Sequence, residues 1–238
     1  MNASVLNLLL FAVLPYLALL LFFLMTVLRY RRQPFSYSSL SSQFLESKEH
    51  FWGLTALHYG ILVVLIGHLL GLLIPQQILW WNARPLRLYV LEITRLAFAL
   101  MALVGLFAVA HRRLAVSKVR VVTSAADWVL LALLILQVCF GIYVAVWHPW
   151  GSSWYAASAA PYLRSLFRLS PDTSYLTTLP WMIKLHIVNG WLVIAVFPFT
   201  RLVHMLVAPL PYLWRKPEVV RWYGIRILQP RGEARGRG

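Results

Sequence analysis

The chain has 238 residues, of which 61% are hydrophobic and 12% charged, with a mean hydropathy of +0.71. A soluble domain carries about 25% charged residues, so this composition excludes an ordinary soluble domain and points to an all-α membrane protein with one helical domain. The formal net charge of +15 does not argue for nucleic acid, because most of the 22 Lys and Arg flank apolar runs instead of forming a basic face.

Residues 5–28 form the first expected span, with Pro15 placed to bend it. It stops at Arg29-Tyr30-Arg31-Arg32 and is expected to be retained, since a signal peptide's basic start and cleavage site are missing. The polar stretch 33–51 reads as a loop or short surface helix. The second span is expected at 52–74, ending before Pro75, and the paired Trp80 and Trp81 that follow suit an interface.

The third span is expected at 89–111. Glu92 and Arg95, three apart near its start, are placed to pair on one helical face, with a role at the interface or in proton or quinol handling. Arg112, Arg113, Lys118 and Arg120 make a basic connection. The fourth span, 125–147, opens with Thr123, Ser124 and Asp127 and holds the single cysteine, Cys139, which excludes an intrachain disulfide or a Cys-held iron–sulfur cluster. A long loop is expected at 148–179, with PYLRSLFRL as a short amphipathic helix at the surface. The fifth span, 180–207, carries a bend at Pro198. The domain thus covers 1–222, and 223–238 is a basic tail expected to be disordered.

Lys and Arg number four in 29–51, four in 112–124 and eight in 201–238, against six on the opposite side. The positive-inside rule then sets the N-terminus outside and the C-terminus in the cytoplasm.

Four of the seven histidines lie in two of these spans: His58 and His68 in the second, His186 and His204 in the fifth. Histidine is costly in hydrocarbon, so each is a functional-site candidate. With an α-helical rise of 1.5 Å, the first pair is roughly 15 Å apart and about 80° around; the second, on an unbroken helix, shares a face about 27 Å apart. The spans run in opposite directions, so His68 faces His186 and His58 faces His204. Each pair can give two axial imidazoles to one haem iron, an arrangement suited to electron transfer. Simple hydrogen bonding between helices is the plainer alternative, and a zinc or di-iron site lacks its usual carboxylates. Gly60, Gly67, Gly71 and Gly190 lie one to four residues from these histidines and leave room for a porphyrin face or for close helices. His50 and His111 read as interfacial, and His148 as an interfacial residue or a proton exchanger.

Several spaced motifs run through the chain: Leu28-Arg29-Tyr30, Ser41-Ser42-Gln43, His58 with Gly60-Ile61-Leu62, Gly67-His68 with Gly71, Arg112-Arg113-Leu114, and Thr123 with Asp127. The densest block runs from Leu185-His186 through Gly190 to Phe197-Pro198-Phe199, Arg201-Leu202 and His204. In this order and spacing the chain up to about residue 222 resembles the gamma subunit of membrane-bound respiratory nitrate reductase, a dihaem cytochrome b. The resemblance implies two haem b groups, a proximal one on His58 and His204 at the cytoplasmic side and a distal one on His68 and His186 at the outer side. It implies quinol oxidation at an outward-facing site of the cell's inner membrane. Electrons would pass to an iron–sulfur beta subunit and then to a molybdenum-cofactor alpha subunit that reduces nitrate, a reaction this chain has no site for. The quinol-site candidates are Gly67, His68 and Arg87, with Arg87 standing where the family has a lysine. Glu92, Arg95 and His148 are further quinol or proton candidates. The same resemblance extends to other dihaem quinone-linked cytochromes, such as the one associated with sulfite reduction, and an electron-transfer protein without its own quinol site is the other alternative.

Overall fold

The computed structural model describes residues 3–32 and 51–207, with side chains from 5–32 and 53–206. The polar stretch 33–50, with His50, and the arginine-rich tail beyond 207 lie outside the described residues. All regular structure among the described residues is helical. Helix α1 covers 3–32, α2 Phe51–Leu73, α3 Pro75–Asn82, α4 Pro85–Ala115, α5 Ser117–Val121, α6 Ala125–Trp147, α7 151–167 and α8 Trp181–Val196. Helices α1, α2, α4, α6 and α8 are long and apolar enough to cross a membrane, and they answer the five expected spans.

Prolines set the irregular turns. Pro15 cannot donate to the carbonyl four residues back and crowds it, and the turn before it, Leu9–Val13, widens to a π-helix. Pro161 has the same effect in α7, where Tyr155–Ala159 forms the second π-turn. Pro75 and Pro85 occupy first-turn positions of α3 and α4, where their missing N–H costs nothing. Helix α6 begins with a capping box, in which the Ser124 hydroxyl accepts from Asp127 N and the Asp127 carboxylate accepts from Ser124 N.

Helices α2 and α4 make the tightest crossing. A Cβ on Gly60 would lie 2.6 Å from the Ala102 nitrogen, and one on Gly105 2.6 Å from the Leu57 nitrogen. The two backbones touch, which only glycine permits. Helix α8 packs on α6 and α1, and α6 also packs on α4. Large apolar side chains such as Leu20, Leu62, Ile93 and Val104 face outward, as a bundle in hydrocarbon requires.

Two expectations need correction. The 148–179 segment is not an open loop with a helix at the surface. Helix α7 enters the bundle, and Tyr162 and Leu166 are fully buried with Phe11, Ala18, Leu176 and Trp191. The Tyr162 hydroxyl donates to Phe11 O at 2.8 Å and its ring meets Phe11 edge-on, so apolar area and one satisfied hydroxyl hold it there. The fifth span is also not one helix to residue 207. It stops at Val196, tightens to a 3-10 turn at Phe197–Phe199, becomes extended at Thr200 and resumes as a 3-10 segment at Arg201–Val207. The bend expected at Pro198 is therefore a break, and the shared face assumed for His186 and His204 does not hold.

Candidate functional site

Two polar ends flank the apolar middle of the bundle. At one end lie His58, the end of α1, the end of α4, the start of α6 and the segment carrying His204. Arg29 donates to Pro198 O and Thr200 O at 2.6 and 2.8 Å, filling carbonyls released by the break. Buried Asp127 meets Arg201 at 3.3 Å and Arg113 at 3.7 Å, and Arg201 also donates to Val122 O at 2.9 Å. Helices α4 and α6 and the 201–207 segment are thereby tied together.

At the other end, α2 and α8 bring His68 and His186 together, with ring centroids 6.2 Å apart and ring planes at 41°. Two imidazoles sharing one metal ion at about 2 Å per bond have centroids about 6 Å apart, so this spacing fits a bridging ion. His68 Nδ1 donates to Val64 O at 2.8 Å, which leaves its Nε2 open. His58 and His204 repeat the arrangement, with Nδ1 bonded to Leu54 O and Arg201 O, each at 2.7 Å. A carbonyl partner that fixes the ring and its tautomer is the usual support for a metal-binding imidazole. His186 differs. Its Nδ1 is buried with no hydrogen-bond partner, and its Nε2 lies 3.4 Å from Gln137 Nε2, a long and weak contact.

Gln137 is held in turn by Asn189, whose Nδ2 donates to Gln137 Oε1 at 2.7 Å and to Leu133 O at 3.0 Å. Its amide therefore faces the His186 ring with its N–H side. Gln137 and Asn189 were not among the candidates expected from the sequence; their signal there is a pair of carboxamides inside apolar spans. Gly141 lies against the same ring, where a Cβ would come within 3.2 Å of His186 Cε1. Among the described residues no group of three or more His, Cys, Asp or Glu side chains converges, so the donor set is one of imidazole pairs. His58 and His204 share an end of the bundle but, among the described residues, make no ring contact with each other.

Gly67, Arg95, Ser152 and Tyr155 wall a cavity of about 40 Å³ beside His68, with Leu70, Gly71, Ile78 and Leu91 completing it. Tyr155 donates from its hydroxyl to His68 O at 3.1 Å, and its ring meets the imidazole edge-on at 5.3 Å. Burial pushes the Tyr155 phenol up to about 12, so it remains a donor at neutral pH. The expected Glu92–Arg95 ion pair is absent. Helix α7 presents its first turn to α4, and Glu92 Oε1 accepts from Ser152 N at 2.7 Å and Ser152 Oγ at 2.5 Å. Asn82 Nδ2 bonds to Ser152 Oγ and Ser153 Oγ, tying α3 into the same network.

Arg87 stands apart from this cavity. Its guanidinium lies 5.3 and 5.2 Å from the Trp80 and Trp81 rings, and Trp81 Nε1 donates to Arg87 O. His148 ends α6 and is not part of the cavity wall, and His111 is exposed just before the last turn of α4.

Residues 7–223 match the family model described as nitrate reductase gamma subunit. The nitrate reductase gamma chain of Bacillus subtilis (strain 168) is 31% identical over 215 residues, covering 89% of this chain and 96% of that one. The respiratory nitrate reductase 1 gamma chain of Escherichia coli (strain K12) is 30% identical over 224 residues, covering 91% and 97%. The nitrate reductase-like protein NarX of Mycobacterium tuberculosis (strain H37Rv) is 29% identical over 210 residues, 85% of this chain but 32% of that protein.

Proposed function

The chain belongs to the nitrate reductase gamma-subunit family, and on that premise we propose that it is the quinol-oxidising membrane subunit of a respiratory nitrate reductase, with two haem b groups held by its four span histidines. The observation that carries this reading is the approach of His68 and His186 to 6.2 Å across α2 and α8. Polar rings brought together inside two apolar spans are costly there and mark a functional site by default.

The residues fit a porphyrin iron. His68 and His186 would hold the distal group, and His58 and His204 the proximal one. Three rings have Nδ1 engaged by a main-chain carbonyl and Nε2 free, and the fourth surrenders only a weak 3.4 Å contact. Bound iron with two histidine ligands supplies one-electron transfer and no open site for other chemistry. The chain's own residues fix the rings: Val64, Leu54 and Arg201 carbonyls set three tautomers, while Asn189 orients Gln137 against the fourth.

The distribution of Lys and Arg supports a cytoplasmic C-terminus in the inner membrane, which would put His68, His186 and the Arg95 cavity at the outer side. Quinol would be oxidised there, and electrons would leave at the His58–His204 end toward an iron–sulfur beta subunit and a molybdenum-cofactor alpha subunit. Gly67 and His68 adjoin the cavity, while Arg87, held against the Trp80 and Trp81 rings, is placed to meet the quinol's approach or a lipid head group.

The test is spectroscopic. Reduced-minus-oxidised spectra of the purified chain should show b-type absorption corresponding to two haems per chain, and a quinol analogue should perturb the outer one. Absence of the b-type signal would overturn the haem assignment, and an outer haem indifferent to every analogue would overturn quinol oxidation.

A further inference from the structure

Arg95 is a cation in a membrane-crossing helix whose nearest carboxylate, Glu92, makes no contact ion pair with it. Among the described residues, no hydrogen bond or ion pair engages its guanidinium, because Glu92 spends its carboxylate on Ser152. A guanidinium has five donors and stays charged, and leaving those donors without an acceptor at this depth is costly. Its stem lies along the Gly67 backbone, where a Cβ would come 3.6 Å from Arg95 Nε, and it lines the cavity beside His68.

That cavity is built from α2, α3, α4 and α7. No residue of α6 or α8 contributes to it, whereas Gln137 and Gly141 of α6 border the His186 ring. The cavity therefore shares no wall residue with the surroundings of the His186 ring. One of its walls, Leu70, is 43% exposed on the bundle's apolar surface, so the cavity lies next to the face that meets the hydrocarbon. At about 40 Å³ it takes more than one water-sized group but not a whole aromatic ring. An oxygen at the edge of a ring is the group that fits.

We propose that Arg95, rather than Arg87, is the cation that binds the quinol oxygen next to the outer haem, in the cavity that Gly67 helps to line. The proposal rests on the quinol-oxidising reading above. Its chemistry is a charge-assisted hydrogen bond from a fixed planar donor to a phenolic or quinone oxygen. The partner missing from Arg95 is then the substrate itself.

The experiment uses the assembled complex and a hydroxyquinoline N-oxide, an aromatic mimic of the quinol head group, titrated against the outer b-type signal. Arg95→Gln should keep two haems per chain, bind the probe about tenfold or more weakly and raise KM for quinol more than it lowers kcat. Arg95→Lys, which keeps charge but not the planar fork, should fall between, and Arg84→Gln, which removes an exposed charge outside the cavity, should match wild type. Arg95→Gln binding the probe as wild type does would overturn the proposal. Selective loss of the outer haem in Arg95→Gln, with wild-type probe binding in Arg95→Lys, would also overturn it by assigning Arg95 to the haem. If Arg95→Gln does not assemble, Arg95→Lys decides: weaker probe binding supports the assignment and unchanged binding overturns it. A wild-type complex that ignores the probe would instead defeat the quinol reading on which the assignment stands.

Discussion

The Arg29 guanidinium of α1 donates to the Thr200 carbonyl at 2.8 Å, at the point where the fifth span breaks. The same nitrogen reaches Pro198 O, so one side chain holds both sides of the extended residue. His204 follows within one turn. Arg29→Ala should loosen the segment that carries His204 while leaving His68 and His186 in place. Charge-assisted bonds of this kind contribute about 1.5–3 kcal/mol each. The expected result is selective loss of the inner haem in reduced-minus-oxidised spectra; equal loss of both haems would show that Arg29 supports the whole bundle instead.

Asp127 does two jobs at the same end, closing the α6 capping box and facing Arg113 and Arg201. The two roles separate by substitution. Asp127→Asn keeps an oxygen for Ser124 N but gives up the charge, and because Arg201 is 39% exposed that ion pair is worth only about 0–1 kcal/mol. Asp127→Ala also loses the bond from Ser124 N that closes the capping box, a further cost of about 0.5–1.5 kcal/mol, while the Ser124 hydroxyl keeps its bond to the residue 127 N–H. Thermal unfolding in detergent, followed by circular dichroism, should rank wild type above Asn and Asn above Ala. An Asn variant as unstable as Ala would mean that charge, not capping, dominates.

Tyr155 gives a pH dependence with a definite sign. Burial raises its phenol from 10.0 to about 12, favouring the protonated form in the folded state. Its contribution is therefore complete below the ordinary tyrosine value and is lost as pH rises from about 10 to about 12. Through neutral pH its hydroxyl keeps donating to His68 O. Tyr155→Phe should remove the alkaline loss and cost about 0.5–1.5 kcal/mol, with a small change in the outer haem's spectrum at any pH. A wild-type and a Phe variant that lose stability identically across this alkaline window would assign the effect to other groups.

Gly105 faces the Leu57 nitrogen and the Gly53 oxygen at 2.6 and 2.8 Å from where a Cβ would stand. The obstacles are backbone atoms and cannot rotate away. Gly105→Ala should push α2 from α4 and cost about 1–3 kcal/mol, visible as a lower midpoint in detergent unfolding. Gly67→Ala, whose Cβ would meet Arg95 at an ordinary 3.6 Å, should unfold much closer to wild type.

The five spans were legible because twenty apolar residues in sequence have few alternatives to a membrane helix, and the capping residues Ser124 and Asp127 marked one boundary closely. The approach of His68 to His186 followed from helix direction alone. What was hidden depends on contacts between distant segments. Tyr162 and Leu166 look like one face of a surface helix, and only Phe11 and Trp191 make that face a core. Pro198 signalled a bend, but the extended Thr200 is stabilised by Arg29 from the other end of the chain, which no local pattern encodes. Glu92 and Arg95 have the right spacing to pair; Ser152, sixty residues on, takes the carboxylate away.

The break also changes how the four histidines can be tested. Were α8 continuous to residue 207, His186 and His204 would share a face and a single distortion would disturb both. Instead, Thr200 separates a regular helix bearing His186 from a 3-10 segment bearing His204, so the two ends should respond independently. His68→Ala or His186→Ala should remove the outer haem and quinol oxidation while the inner haem's spectrum persists. His58→Ala or His204→Ala should remove the inner haem, and an outer haem still perturbed by a quinol analogue should remain, now reducible but unable to pass electrons onward. If His186→Ala instead removed the inner signal and spared the outer, the pairing of His68 with His186 would be wrong despite their 6.2 Å approach.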